Sequence, residues 1–191
     1  MAVNEDKQNK IMDAALILFT ERGFDGTAVP MIAEKAGVGA GTIYRYFQNK
    51  EALVNVLFQE CVKRLTRIIQ HNYPESSANV REQFQHMFYG MVQFAQEDVH
   101  ALYFIETQNN AHYLDETSQL VFQELLDFMH AFYDRGKKQG IIRPLPTDAL
   151  IMIVFSAFVG VYKLIRVGEL EETPELIAEV EACCWDAVRI H

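Results

Sequence analysis

Residues 36–50 read Ala36-Gly37-Val38-Gly39-Ala40-Gly41-Thr42-Ile43-Tyr44-Arg45-Tyr46-Phe47-Gln48-Asn49-Lys50. Gly37 follows a run of helix-forming residues and stands where a left-handed C-terminal residue is least strained as glycine. A short helix follows, from about Ala40 to Phe47. Ile43 and Phe47 lie four apart and share its inward face. Thr42, Tyr44, Arg45 and Tyr46 are left pointing elsewhere, an unusual exposed set of hydrogen-bond donors. Asn49 reads as the N-cap of the next helix, with Lys50 in its first turn. Two helices joined by Gly37-Val38-Gly39 form a helix-turn-helix.

Working outward, helices are expected on both sides. Ile11, Ala14, Ala15, Leu18 and Phe19 follow the 3.6-residue period in a first helix from about Asn4 to Arg22, ended by Gly23. Phe24 tucks back as an apolar plug, and Asp25-Gly26 turns the chain into a second helix with Pro30 in its first turn. A long fourth helix runs from about Lys50 to Gln70. The break His71 to Ser77 is the best interruption, and the domain division falls inside or after helix four. Helices five to nine follow at about 79–96, 100–108, 115–138, 147–167 and from Thr173-Pro174 onward. Leu120, Val121, Leu125 and Phe132 are expected inside helix seven, and Thr147 or Asp148 is expected to cap helix eight. No strand, repeat or low-complexity tract is expected. The predicted fold is all-α, about nine helices: a helix-turn-helix domain over 1–52 and a helical domain over 53–191.

Composition agrees. Half of the 191 residues are hydrophobic, and Gly and Pro number only 10 and 5, which favours helix. The net charge is −9. Residues 1–60 carry six basic and eight acidic side chains, so the acidity lies mostly beyond them. A sequence-independent, charge-driven grip on nucleic acid is excluded, and any DNA contact must rest on a few well-placed groups. Cys61, Cys183 and Cys184 have no metal spacing and read as reduced thiols of a cytoplasmic protein, with a redox role for the adjacent pair the minor alternative. Met1 to Asp6 lack a secretory pattern. The longest apolar run, Ala149 to Tyr162, is short of the roughly 20 residues a membrane helix needs. Catalytic triads, phosphate loops and paired metal-ligand histidines have recognisable spacings, and none occurs, so neither an enzyme nor a cofactor or metal site is expected.

The positive signal is DNA reading. A helix the size of Ala40–Phe47 fits a major groove. Gly41 allows close approach. Thr42 and Arg45 are the candidates for base edges, Arg45 through its paired donors to guanine. Tyr44, Tyr46, Thr27 and Lys50 are the candidates for phosphate clamps. About four phosphates per subunit would give a salt slope of log affinity of about −7.

Residues 10–53 resemble the N-terminal domain of the TetR (TetR/AcrR) family of transcriptional regulators. The resemblance is carried by Ile11, Ala14, Ala15, Leu18, Phe19, Gly23, Phe24, Thr27, Val29, Ile32, Ala33, Ala36-Gly37-Val38, Gly41-Thr42-Ile43-Tyr44, Tyr46-Phe47, Lys50-Glu51 and Leu53. It implies an all-helical homodimer of nine or ten helices and a divergent C-terminal domain that binds a small molecule and releases DNA. It also places Thr27, Thr42, Tyr44, Arg45, Tyr46 and Lys50 at the DNA. Two departures stand out. Ala28 and Met31 replace the family's usual capping pair, so either Thr27 substitutes or the start of helix two is weak. Gly39-Ala40 removes a cap and a possible contact from helix three.

In the C-terminal part, Phe84, Met87, Phe88, Met91, Phe104, Phe122, Leu126, Met129, Phe155 and Phe158 are candidate walls of an effector pocket, suited to a small hydrophobic or amphipathic molecule. Ala149, Ile153, Ser156 and Gly160 of helix eight, with Ile177, Val180, Cys184 and Val188 of helix nine, are candidates for a homodimer interface. The expected activity is a dimeric repressor on a double-stranded palindromic operator, released by that effector. The alternative is a hydrophobic-ligand carrier or sensor with little DNA binding.

Overall fold

The computed structural model describes residues 2–74 and 79–191. Among these the chain forms nine α-helices and, beyond one isolated bridge between Ile142 and Arg189, no strand pairing. The helices are α1 (Ala2–Arg22), α2 (Val29–Ala36), α3 (Ala40–Tyr46), α4 (Lys50–Gln70), α5 (Val80–Glu97), α6 (Val99–Gln108), α7 (Glu116–Lys138), α8 (Thr147–Arg166) and α9 (Pro174–Val188). The fold is the all-α one expected. Of the break at His71 to Ser77, His71–Pro74 are non-helical and Glu75–Ser77 lie outside the described residues.

Local signals explain most boundaries. Asn49 Oδ1 accepts the Ala52 N–H at 2.7 Å, Asn79 Oδ1 that of Glu82 at 2.8 Å, and Thr173 Oγ1 that of Leu176 at 3.2 Å. Each satisfies a first-turn donor that the helix itself cannot. Thr147 is different. Its hydroxyl is tied to Asp134 at 2.7 Å and to Lys137, so it fastens α8 to α7 instead of capping α8.

The chain packs into two compact units, residues 1–64 with 100–122, and residues 65–99 with 123–191. α4 and α7 therefore run through both. The first unit groups α6 and the start of α7 with α1–α3, a grouping that a division at residue 52 does not contain. Its core is aromatic. Phe104 is fully buried, with ring centroids 6.2 Å from Phe19 and 6.4 Å from Phe58, and Phe58 lies 5.9 Å from Phe122. Each such buried phenylalanine contributes about 1.5–3 kcal/mol.

A buried amide completes that unit. Asn55, on α4, donates to the Glu51 and Tyr113 carbonyls at 2.9 and 2.8 Å. Its Oδ1 accepts the Asp115 N–H at 2.8 Å and the Ser118 hydroxyl at 2.7 Å. One side chain thus holds the backbone between α6 and α7 and the first turn of α7.

In the second unit α9 packs on α5 and α8. Phe84 meets Trp185 at 5.2 Å and Phe88 meets Phe158 at 5.5 Å. Arg81 and the almost fully buried Glu181 form a bidentate ion pair, one arm at 2.6 Å, so α5 and α9 are joined by charge as well as by rings. Leu120, expected inside α7, is 59 % exposed.

Candidate nucleic-acid interface

The reading head is built from the α1–α2 connection upward. Thr27 is 1 % exposed, and its hydroxyl donates to the carbonyls of Gly23 at 2.8 Å and Leu18 at 3.1 Å. It staples the connection back onto α1. A hydroxyl so placed neither caps α2 nor reaches a phosphate, which corrects both roles expected of Thr27. Ala28 precedes α2 and supplies no side-chain cap.

Lys50 lies against the same connection. It is half-buried, and its ammonium donates to the carbonyls of Phe24 at 2.7 Å and Thr27 at 3.1 Å. It also lies over the Phe24 ring, 3.9 Å from the centroid. Two of its three N–H bonds are spent inside the protein, so its first task is to hold the α1–α2 connection against the start of α4.

Gly37 has φ 66°, and the Val38 and Gly37 amides return to the carbonyls of Ala33 and Glu34 at 2.9 and 3.1 Å, the paired bonds of a Schellman ending. α3 then leaves with Ile43 and Phe47 buried at 1 % and 4 % exposure. Burying those two turns the rest of the helix outward. Tyr44 is 55 % exposed, Arg45 and Gln48 are exposed, and Thr42 and Tyr46 are half-buried. A Cβ built on exposed Gly41 would meet nothing within 4 Å. The absence of a side chain there has no packing reason inside the chain and leaves α3 smooth toward an outside partner.

Residues 11–57 match the model of bacterial regulatory proteins of the tetR family, and residues 58–190 match the tetracyclin repressor-like C-terminal domain. The chain belongs to the TetR family. It is 25 % identical over 137 residues to IcaR of Staphylococcus aureus (strain Newman), the HTH-type negative transcriptional regulator of the biofilm operon icaADBC, covering 68 % of this chain and 71 % of that one. A TetR-family regulator from Marinobacter aquaeolei VT8 superposes with a TM-score of 0.86 at 22 % identity, over 100 % of this chain and 99 % of its own. The regulator FadR of Bacillus subtilis, solved with stearoyl-CoA, superposes with a TM-score of 0.69 at 21 % identity, over 95 % and 98 %. TetR-family members are helix-turn-helix, DNA-binding transcriptional regulators and not enzymes.

The candidate pocket residues of this TetR-family chain divide between the units. Phe104 and Phe122 make their ring contacts in the first, with Phe19 and Phe58. Phe84, Met87, Phe88, Met91 and Phe158 are buried in the second, while Leu126, Met129 and Phe155 are half-buried there.

The candidate dimer residues divide too. Ala149, Ile153, Ser156 and Gly160 of α8 are exposed, as are Met152, Leu164 and, just past the helix, Val167. Ile177 and Val188 are buried within their own unit, which corrects their assignment to a homodimer interface, while Cys184, though also buried, lines the groove beside α8. The α9 period reports a stripe but not what covers it. What α9 offers outward beside α8 is Val180, Cys183 and Ala187, which with Ile153 and Ala157 line an open, largely apolar groove of about 320 Å³. Burial and the neighbouring Cys183 and Glu181 push the Cys184 thiol up to about 11, so it stays protonated at neutral pH and is a poor partner for redox chemistry with Cys183.

Tyr113, between α6 and α7, had no expected role. It stacks on Phe24 with centroids 3.9 Å apart and planes 23° apart, and its hydroxyl donates to Gln108. Burial, and then the charge of Asp25, raise its phenol above the ordinary value.

Proposed function

We propose that this TetR-family protein is a cytoplasmic, homodimeric repressor. Two α3 helices read successive major grooves of a palindromic operator, and a small hydrophobic or amphipathic effector releases them. The observation that carries this is the outward face of α3. Arg45, Tyr44 and Gly41 are exposed on a helix fixed from behind by Ile43 and Phe47. Thr42 and Arg45 contact bases, and Tyr44, Tyr46 and the remaining Lys50 donor contact phosphates. Residues 1–52 read DNA, and residues 53–191 bind the effector and dimerise. No cofactor or metal takes part.

The exposed apolar side of α8, with Val180, Cys183 and Ala187 of α9, supports pairing with a second copy. By length and composition α8 could also cross a membrane, with a mean hydropathy of 1.9 over 18 residues. A two-fold partner is the occupant that also sets two reading heads on two half-sites. IcaR is a negative regulator and the FadR structure holds stearoyl-CoA, which supports repression and a lipophilic effector. The effector must bind the DNA-incompetent state more tightly, since equal affinity for both states shifts nothing.

Selection of bound DNA from a random library, with and without lipophilic extracts, tests the reading. A palindromic site with half-sites about one helical turn apart is expected. Replacing Arg45 by Ala should weaken binding to that site by about 5- to 150-fold and relax one base position. Equal binding of all sequences by the wild type would favour a ligand carrier.

A further inference from the structure

We propose that Tyr113 is a positioning residue for DNA reading: its ring presses Phe24 onto the Lys50 ammonium, and so fixes the backbone from which α2 starts. This rests on the reading of the protein as a DNA-binding regulator.

The geometry is a sandwich. The Tyr113 ring and the Lys50 ammonium each lie 3.9 Å from the Phe24 centroid, one stacked and the other over the ring. Two groups at that distance cannot occupy the same face, so they take opposite faces. Lys50 in turn holds the carbonyls of Phe24 and Thr27. Thr27 directly precedes Ala28, the uncapped first boundary of α2. A helix without a side-chain cap loses about 1 kcal/mol of the usual fixing at its start, so the placement of α2 falls on Lys50 and on the Thr27 staple. α3 packs on α2 and follows it.

Tyr113 is itself held from three directions. Its carbonyl accepts from Asn55 of α4, the Asp115 amide two residues on donates to the same side chain, and its hydroxyl reaches Gln108 at the end of α6. Its ring therefore reports the joint position of α4, the end of α6 and the start of α7. A rearrangement there that withdraws the ring opens one face of Phe24 and loosens Phe24 against Lys50. The consequence reaches the reading helix directly through the α1–α2 connection.

The test uses the full chain and an operator selected from the random library. Fluorescence anisotropy should show Tyr113→Ala binding about threefold to tenfold more weakly than wild type, the worth of one aromatic stack. Tyr113→Phe, which keeps the ring, should restore wild-type affinity. Lys50→Met should weaken binding as well. Adding Tyr113→Ala to it should cost less than twofold more, because both act through Phe24. Hydrogen exchange at the amides of residues 28–33 should quicken in Tyr113→Ala. Should Tyr113→Ala fail to fold by circular dichroism, Tyr113→Leu carries the same comparison. Wild-type affinity in the folded variant, or losses from Tyr113 and Lys50 that simply add, would overturn the role of Tyr113 alone. A wild type that retains no DNA sequence would overturn the regulator reading and this role with it.

Discussion

Replacing Asn55 by Ala should destabilise the protein far beyond the loss of a few atoms. Asn55 is 4 % exposed. Apart from the bond within its own helix, it makes three: to the Tyr113 carbonyl, from the Asp115 amide and from the Ser118 hydroxyl, all between 2.7 and 2.8 Å. Each contributes about 0.5–1.5 kcal/mol net, and each partner is left unsatisfied when the amide goes. The sum is about 3 kcal/mol, a sizeable share of a typical domain's 5–15. For a chain of this size that is a fall in melting temperature of about 6–12 °C. Thermal and urea unfolding followed by circular dichroism would measure it. Asn55→Leu keeps the bulk and loses the bonds, and should fall by a similar amount, which separates hydrogen bonding from cavity formation. If Asn55→Ala melts within 2 °C of the wild type, the amide does not hold the α6–α7 connection and the reasoning fails.

Four further outcomes are expected. With Thr27 engaged inside the protein, about three phosphates per subunit remain, so the salt slope of log operator affinity should be about −5 instead of −7, measured by titration from 50 to 200 mM salt. Ile153→Arg, on the outward side of α8, should yield monomer in sedimentation velocity at concentrations where the wild type is dimeric, with the helical circular dichroism unchanged. In native protein at pH 8, a thiol reagent should label Cys183 and spare Cys61 and Cys184, which are buried, and the Cys183 rate should drop as dimer forms. Because the folded state raises Cys184 to about 11, it binds that proton more tightly than the unfolded chain. Stability should therefore decline as pH rises from about 8.5 toward 11.

The sequence carried the reading head because its determinants are local. Gly37, Asn49 and the Ile43–Phe47 spacing each act within five residues, and all three behave as their chemistry dictates. The Thr27 phosphate contact was misassigned, and the internal bonds of Lys50 went unseen, for the opposite reason. A hydroxyl or an ammonium shows what it can donate but not which carbonyl the chain brings to it, and both met carbonyls from the connection just before α2. Ile177, Cys184 and Val188 mark a true stripe on α9, but a period of 3.6 is the same whether a helix is covered by its own core or by a partner. Tyr113 and Asn55 were invisible. One sits in an aperiodic stretch and the other inside a long helix, and their partnership joins segments distant in the chain. A buried asparagine among apolar neighbours is the one signal that could have drawn attention.

The interleaving of the two compact units bears on how such regulators could be recombined. Phe104 sits between Phe19 and Phe58, so the core under the reading helices is completed by a piece of chain that arrives some fifty residues after α4 begins. A cassette cut near residue 57, where the two family matches meet, would leave that core open. A chimera made by exchanging only the N-terminal part inherits a mismatch where Phe19 meets Phe104 and Phe24 meets Tyr113 unless residues 100–122 travel with it. Evolution and engineering face the same constraint here: the unit of exchange is set by packing, not by a point on the chain.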